Sequence, residues 1–222
     1  MLSVYGRKPA AVVVEPVAKA ALRIGLSPNI VTVIGTTVTV SISLLLIPSG
    51  HLFAAAVLTG LFAAFDMIDG TMARLRGGGT AFGATLDASC DRITDGALFA
   101  AIVWYLVYVE NAHPATVMAA LIVLVSSQVI SYVKARAEAS GFIIIGGLVE
   151  RPERLIVGLV GVGLEGLGVP YALPVALWVL AAGSMYTVFQ RLIGAGKQDD
   201  GKPIHPASPA AAGYTTKSLD GE

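Results

Sequence analysis

The amino-acid sequence predicts an all-α integral membrane protein. The expected architecture is six transmembrane helices preceded by an N-terminal amphipathic surface helix, with both termini cytoplasmic. Three observations lead there. Of the 222 residues, 55% are hydrophobic and only 14% are charged, where a soluble domain carries about 25% charged residues. Mean hydropathy is +0.75. Long uncharged runs recur along the chain, separated by short polar segments in which the Lys and Arg residues collect.

Residues 1–26 are interrupted by Pro9, Glu15, Pro16, Lys19 and Arg23, so no clean apolar core of a signal peptide is expected there. Within them Ala10–Leu26 mixes apolar residues with Lys19 and Arg23 near helical spacing, the pattern of a helix lying on a membrane surface or of an ordinary soluble helix. A membrane helix needs about 20 mostly apolar residues. Ile30–Ile47 is the first such run, closed by Pro48-Ser49-Gly50. His51–Phe65 begins a second, which runs into Asp66, Asp69, Arg74 and Arg76 before Gly77-Gly78-Gly79. A third starts near Thr80, carries Asp87, Asp91, Arg92 and Asp95, and is wholly apolar from Gly96 to Val109. Ala115–Val133, Leu155–Val169 (broken by Glu165) and Tyr171–Phe189 complete the set. The expected membrane domain is 1–194. Residues 195–222, polar and rich in Pro, Ala and Gly, are expected to form a disordered tail.

Threading six spans puts all fifteen Lys and Arg on one side. The opposite connections, 48–51, 110–114 and 165–170, hold only Glu110 and Glu165. The basic side is expected to be cytoplasmic. A formal net charge of 0 excludes nucleic-acid binding driven by bulk positive charge. The lone Cys90 excludes an intramolecular disulfide and a cysteine zinc cluster.

Four aspartates in the second and third spans are the anomaly. A charged side chain near the centre of a membrane helix costs about 2.5–3.5 kcal/mol on insertion scales. Asp66 and Asp69 stand three apart, Asp87 and Asp91 four apart, so each pair shares a helical face. Across a short glycine-rich turn the two faces are expected to meet as a four-carboxylate bowl. Hard carboxylate oxygens favour Mg²⁺, Mn²⁺ or Ca²⁺ over zinc. Two divalent ions would offset four charges, in the arrangement used for phosphoryl displacement. The plainer alternative pairs the aspartates with Arg74, Arg76 and Arg92. Gly70 and Gly83 let a ligand approach the backbone, or serve as small-residue helix contacts.

The run Asp66-Met-Ile-Asp69-Gly70-Thr-Met-Ala73-Arg74, eight residues, then Gly83-Ala-Thr-Leu-Asp87-Ala-Ser-Cys-Asp91, resembles the complete signature of the CDP-alcohol phosphotransferase family. The resemblance covers residues 1–194 and implies a six-helix core. It implies transfer of the phosphatidyl group of CDP-diacylglycerol to an alcohol, with release of CMP, at the cytoplasmic face of a bacterial plasma membrane. By position, Asp66, Asp69, Asp87 and Asp91 would hold two Mg²⁺ per subunit, with Mn²⁺ the alternative, and Asp91 would also act as general base. Gly70, Ala73, Arg74 and Gly83 would border the cytidine diphosphate, with Thr80 nearby. Asn29 and Thr32, after Pro28, match a family segment at the nucleotide site and read equally well as a helix start. The family also implies a homodimer.

Lys134, Arg136, Arg151, Arg154 and Arg191 fall at span ends on the same side. They suit an acceptor that carries phosphate, or simply flank the spans as positive-inside charge. Tyr132-Val-Lys134-Ala-Arg136-Ala-Glu138-Ala with Gly146-Gly-Leu-Val-Glu150-Arg151-Pro152-Glu153-Arg154-Leu resembles the actinobacterial phosphatidylinositol phosphate synthases within that family. This implies 1D-myo-inositol 3-phosphate as acceptor, with these five residues around its phosphate. Glycerol 3-phosphate, giving phosphatidylglycerol phosphate, is the alternative that the basic residues do not separate. A cation transporter would also hold acids in membrane helices, but here they cluster at one interface. A purely structural role leaves four costly aspartates unexplained.

Overall fold

The computed structural model describes residues 7–199, the side chains of 7–13 and 64–67 excepted. Among the described residues every regular element is an α-helix: α1 Arg7–Arg23, α2 Pro28–Leu46, α3 Leu52–Leu75, α4 Ala81–Tyr108, α5 Pro114–Ala139, α6 Arg151–Gly166 and α7 Ala172–Gly196. The last helix thus runs two residues past the expected 194/195 boundary, and residues 200–222 of the expected tail lie outside the described residues.

Local chemistry sets the helix starts. Ser27 accepts the Ile30 N–H at 3.3 Å and Pro28 opens α2. Thr80 accepts the Gly83 N–H at 2.9 Å and opens α4. Each such cap stabilises a helix by about 1 kcal/mol. At the end of α3, Gly77 (φ 93°) and Gly78 (φ 131°) adopt backbone conformations that side-chain-bearing residues avoid. They reverse the chain within a few residues and set the Thr80 cap beside the end of α3.

Helices α2, α3, α6, α7, α5 and α4 pack pairwise in that order and α4 closes the ring on α2, while α1 lies on α3. Val14, Ala18, Ala21 and Leu22 form the stripe of α1 that covers Ile68 and Met72 of α3. On the other side of α1, Lys19 bonds Glu15 at 2.7 Å and holds its carboxyl below the usual carboxylate range. The apolar core joins Ile47, Leu52, Phe99, Leu106, Val123, Val162 and Leu177. With lipid as solvent, close packing rather than water exclusion holds such helices together. Small residues accordingly stand at the contacts: a Cβ added to Gly161 of α6 would lie 2.5 Å from Ala176 Cβ of α7.

Large apolar side chains such as Leu45, Leu61, Trp104, Val125, Val179 and Phe189 face outward, which in an apolar helical protein is a surface for lipid. Four helices (α2, α3, α5 and α7) are long and apolar enough to cross a membrane. The other two ring helices depart from that profile for physical reasons. The first half of α4 carries Asp87, Asp91, Arg92 and Asp95, and α6 has only 16 residues, about 24 Å at the α-helical rise.

Candidate active site

The first turn of α2, the last turns of α3 and the start of α4 enclose a cavity of about 720 Å³. The sequence-expected residues Asn29, Thr32, Asp69, Gly70, Ala73, Thr80, Gly83 and Asp87 all line it. Asp69 of α3 and Asp87 of α4 face the same cavity. Both helices pack on α2, and the gap between them is the cavity. The two readings of Asn29 and Thr32 prove compatible, since these residues form the start of α2 and also a wall of the cavity.

Asp69 is buried and oriented. The Thr32 hydroxyl donates to its Oδ2 and the Gly70 N–H to its Oδ1, while the Pro28 carbonyl lies 3.1 Å from the same hydroxyl. Asp66 lies one turn earlier on α3, and its side chain is outside the described residues. Asp87 faces the cavity exposed, and among the described residues no cation pairs with it. A Cβ added at Gly83 would lie 3.1 Å from Thr80 Oγ1 and 3.2 Å from Asn29 Oδ1, so the missing side chain leaves a narrow cradle.

Arg74 does not line the cavity. It is exposed at the end of α3, its Nη2 donating to Thr71 Oγ1 at 2.8 Å. Arg76 does line it, along with Ser27. Arg76 Nη2 reaches the Leu26 carbonyl at 3.3 Å, tying the α3–α4 turn to the α1–α2 connection. Neither Arg76 nor Ser27 was among the residues expected to bind ligand. For Arg76 the signal was its position two residues past the signature arginine; Ser27 read only as part of a helix start.

One turn beyond Asp87, Asp91 joins a second cluster. Arg151 Nη1 lies 2.9 Å from Asp91 Oδ1 and its Nε lies 3.7 Å from Asp95 Oδ1. Arg92 Nη2 stands 3.8 Å from Asp91 and 3.9 Å from Asp95. Arg154 Nη2 donates to Asp95 Oδ2, and both side chains are almost wholly buried. The nearby Arg191 is buried as well: its guanidinium donates to the Ile130 carbonyl at 2.8 Å, to Glu150 at 3.1 Å and to the Gly146 carbonyl at 3.3 Å. Lys134 is partly exposed, 3.9 Å from Glu138, and Arg136 is exposed. The five expected basic residues therefore divide. Arg151 and Arg154 share one cluster with Asp91 and Asp95, Arg191 clamps the α5–α6 connection, and Lys134 and Arg136 lie open at the end of α5.

The donor chemistry fits a hard divalent cation, with carboxylates approaching from two helices and Asp87 uncompensated. Among the described residues no three His, Cys, Asp or Glu converge closely enough to hold an ion by themselves.

Apolar helices around a cavity that combines carboxylates, a glycine cradle and adjacent guanidiniums define a membrane transferase built for phosphate esters. The chain belongs to the CDP-alcohol phosphatidyltransferase family, whose sequence model matches residues 25–188. It is 66% identical to the phosphatidylinositol phosphate synthase of Corynebacterium glutamicum, an alignment spanning 96% of each chain. It also resembles the solved phosphatidylinositol phosphate synthase of Mycobacterium tuberculosis. With CDP-diacylglycerol bound, that structure superposes with a TM-score of 0.82 at 48% identity, covering 88% of this chain and 98% of the other. The same enzyme in complex with manganese and citrate gives a TM-score of 0.81 at 48% identity, over 87% and 93% of the two chains.

Proposed function

We propose that this chain transfers the phosphatidyl group of CDP-diacylglycerol to the hydroxyl of 1D-myo-inositol 3-phosphate, giving phosphatidylinositol phosphate and CMP. The observation that carries the reading is the Arg151–Asp91 ion pair, because Asp91 stands one turn beyond the cavity-lining Asp87 and so sets the guanidinium cluster next to the cavity. A donor and a phosphorylated acceptor then have adjoining places. The high identity to enzymes bearing that name supports the choice of acceptor.

Asn29, Thr32, Gly70, Ala73, Thr80 and Gly83 form the bed for the cytidine diphosphate, the two glycines admitting it close to the backbone. Arg74, at the rim, suits phosphate through its planar fork. Asp66, Asp69, Asp87 and Asp91 would hold two Mg²⁺ ions, with Mn²⁺ an alternative that the manganese complex of the relative supports. When bound, the metal polarises the pyrophosphate and neutralises the departing CMP. Thr32 keeps Asp69 in one rotamer by donating to its Oδ2. Asp91 takes the proton of the acceptor hydroxyl. Arg151 and Arg154 hold the acceptor phosphate, Lys134 and Arg136 attract it from solvent, and Arg191 shapes the connection beside it.

In this reading α2 to α7 are six spans, α1 lies on the membrane surface, and both termini and the active site are on the cytoplasmic face of a bacterial plasma membrane. All Lys and Arg fall on that side. The enzyme works as a homodimer, as the family likeness implies.

The test is CMP release by detergent-purified protein supplied with CDP-diacylglycerol and Mg²⁺. Release with inositol phosphate and not with glycerol 3-phosphate supports the proposal. Release with glycerol 3-phosphate alone keeps the chemistry and overturns the acceptor. No release with either from folded protein overturns both.

A further inference from the structure

Asp95 lies outside the signature, and nothing in the donor cavity needs it. It is nonetheless among the most buried charged groups described, at 2% exposure, and three guanidiniums turn toward it. Arg154, at 1% exposure, bonds it through one nitrogen only. Its Nε and Nη1 are buried without a hydrogen-bond partner among the described residues, as is Arg92 Nε. A buried donor left unmade costs about 1–3 kcal/mol, and more when charged, so such donors point to a ligand that completes them. Arg92, Arg151 and Arg154 also gather around Asp95, which concentrates positive charge there. An anion with several acceptor oxygens, such as a phosphate monoester, meets both needs.

A guanidinium with one satisfied corner is a precise phosphate ligand only if that corner is fixed. We propose that Asp95 is the positioning residue of the acceptor site. It acts as one carboxylate anchor that orients Arg154, and with it Arg151 and Arg92, so that their remaining donors converge on the acceptor's phosphate. The inference rests on the acceptor reading above. It assigns Asp95 no contact with substrate or metal; the residue works through the arginines. Its position one turn after Asp91 on α4 keeps the acceptor phosphate in register with the proposed base, because both carboxylates ride on the same helix.

The test compares Asp95→Asn, Asp95→Glu and Arg154→Gln in detergent-purified, monodisperse protein. KM is measured for both substrates, and inositol phosphate binding is measured separately by calorimetry. Partners that orient a ligand-binding residue typically matter about 10–100-fold. Asp95→Asn is therefore expected to raise the acceptor KM and the calorimetric Kd by about tenfold or more. The KM for CDP-diacylglycerol should stay within about twofold, and Asp95→Glu should fall between the two. If Arg154→Gln raises the acceptor KM but Asp95→Asn moves neither KM, or moves both alike, Asp95 is structural and the inference is overturned while the acceptor site stands. If Arg154→Gln leaves the acceptor KM unchanged, the acceptor reading fails and this inference with it. Should Asp95→Asn not fold, Asp95→Glu decides: a selective rise in acceptor KM supports the proposal, and unchanged or equally changed KM values overturn it.

Discussion

Arg151 Nη1 and Asp91 Oδ1 lie 2.9 Å apart, with 24% and 20% of their side chains exposed. One ion pair thus links the start of α6 to the proposed base and metal ligand on α4. Asp91 has two claimants, the guanidinium and a divalent cation, and Arg151 has two, the carboxylate and an acceptor phosphate. Metal binding at Asp91 and phosphate binding at Arg151 should therefore assist one another, since each releases the partner the other needs.

Removing the guanidinium tests this through effects of opposite sign. Arg151→Gln should lower the Mg²⁺ concentration for half-maximal turnover, because Asp91 loses a competitor. It should raise the acceptor KM, because the phosphate loses a donor. A partly exposed pair contributes about 1 kcal/mol, so each shift should be about fivefold. Mg²⁺ titrations at saturating acceptor, with acceptor titrations at saturating Mg²⁺, measure both. A rise in the Mg²⁺ requirement would show that Arg151 supports the metal site rather than competing with it.

Thr32 offers a cleaner handle on the metal site, since its hydroxyl donates to Asp69 from a neighbouring helix. Thr32→Val keeps the shape and removes the donor. Asp69 then loses the bond that fixes its rotamer, and the half-saturating Mg²⁺ concentration should rise about tenfold. Thr32→Ser should restore it. If both variants instead raise only the KM for CDP-diacylglycerol, Thr32 contacts the nucleotide and does not orient the carboxylate.

The fold and site differ in how far local sequence reveals them. The apolar runs and the one-sided distribution of Lys and Arg predict helices and their order, because a single helix in lipid must satisfy its own backbone. The Asp69 and Asp87 positions are legible because each belongs to a carboxylate pair at helical spacing in an otherwise apolar run, where charge is costly. What escapes is tertiary. Asp91 pairs with Arg151 of α6, 60 residues further along the chain, while Asp69 and Asp87 line the cavity beside α2. Arg76 joins the cavity through a bond to Leu26, 50 residues away, which no periodicity encodes. The family likeness puts Arg191 at the acceptor phosphate; that it also bonds carbonyls of α5 and of the α5–α6 connection is something only folding reveals.

Gly83 tests the donor side. Its Cβ would stand 3.1 Å from Thr80 Oγ1 and 3.2 Å from Asn29 Oδ1, so Gly83→Ala fits the backbone but fills the cradle. The KM for CDP-diacylglycerol should rise by about tenfold, equivalent to about 1.4 kcal/mol of lost binding, with the acceptor KM unchanged. Equal KM values for variant and parent would place the nucleotide elsewhere in the cavity.

Arg191 separates clamp from ligand. At 5% exposure its guanidinium bonds the Ile130 and Gly146 carbonyls and the Glu150 carboxylate, and Glu150 is the residue from which α6 starts. Thr187 and Gln190, on the same helix, hold the Val149 and Leu148 N–H groups at 2.9 and 3.2 Å. The connection that delivers Arg151 and Arg154 is thus strapped to α7 by side chains. Lysine carries the charge but cannot reach three acceptors in the planar geometry of a guanidinium. Arg191→Lys should therefore strand buried acceptors and cost about 2–3 kcal/mol, seen as a lower midpoint of thermal unfolding in detergent. Because α6 starts from the loosened segment, the acceptor KM should rise together with that loss of stability. A raised acceptor KM at unchanged unfolding midpoint would instead assign Arg191 to direct phosphate binding, since a ligand residue can be lost without loosening the connection.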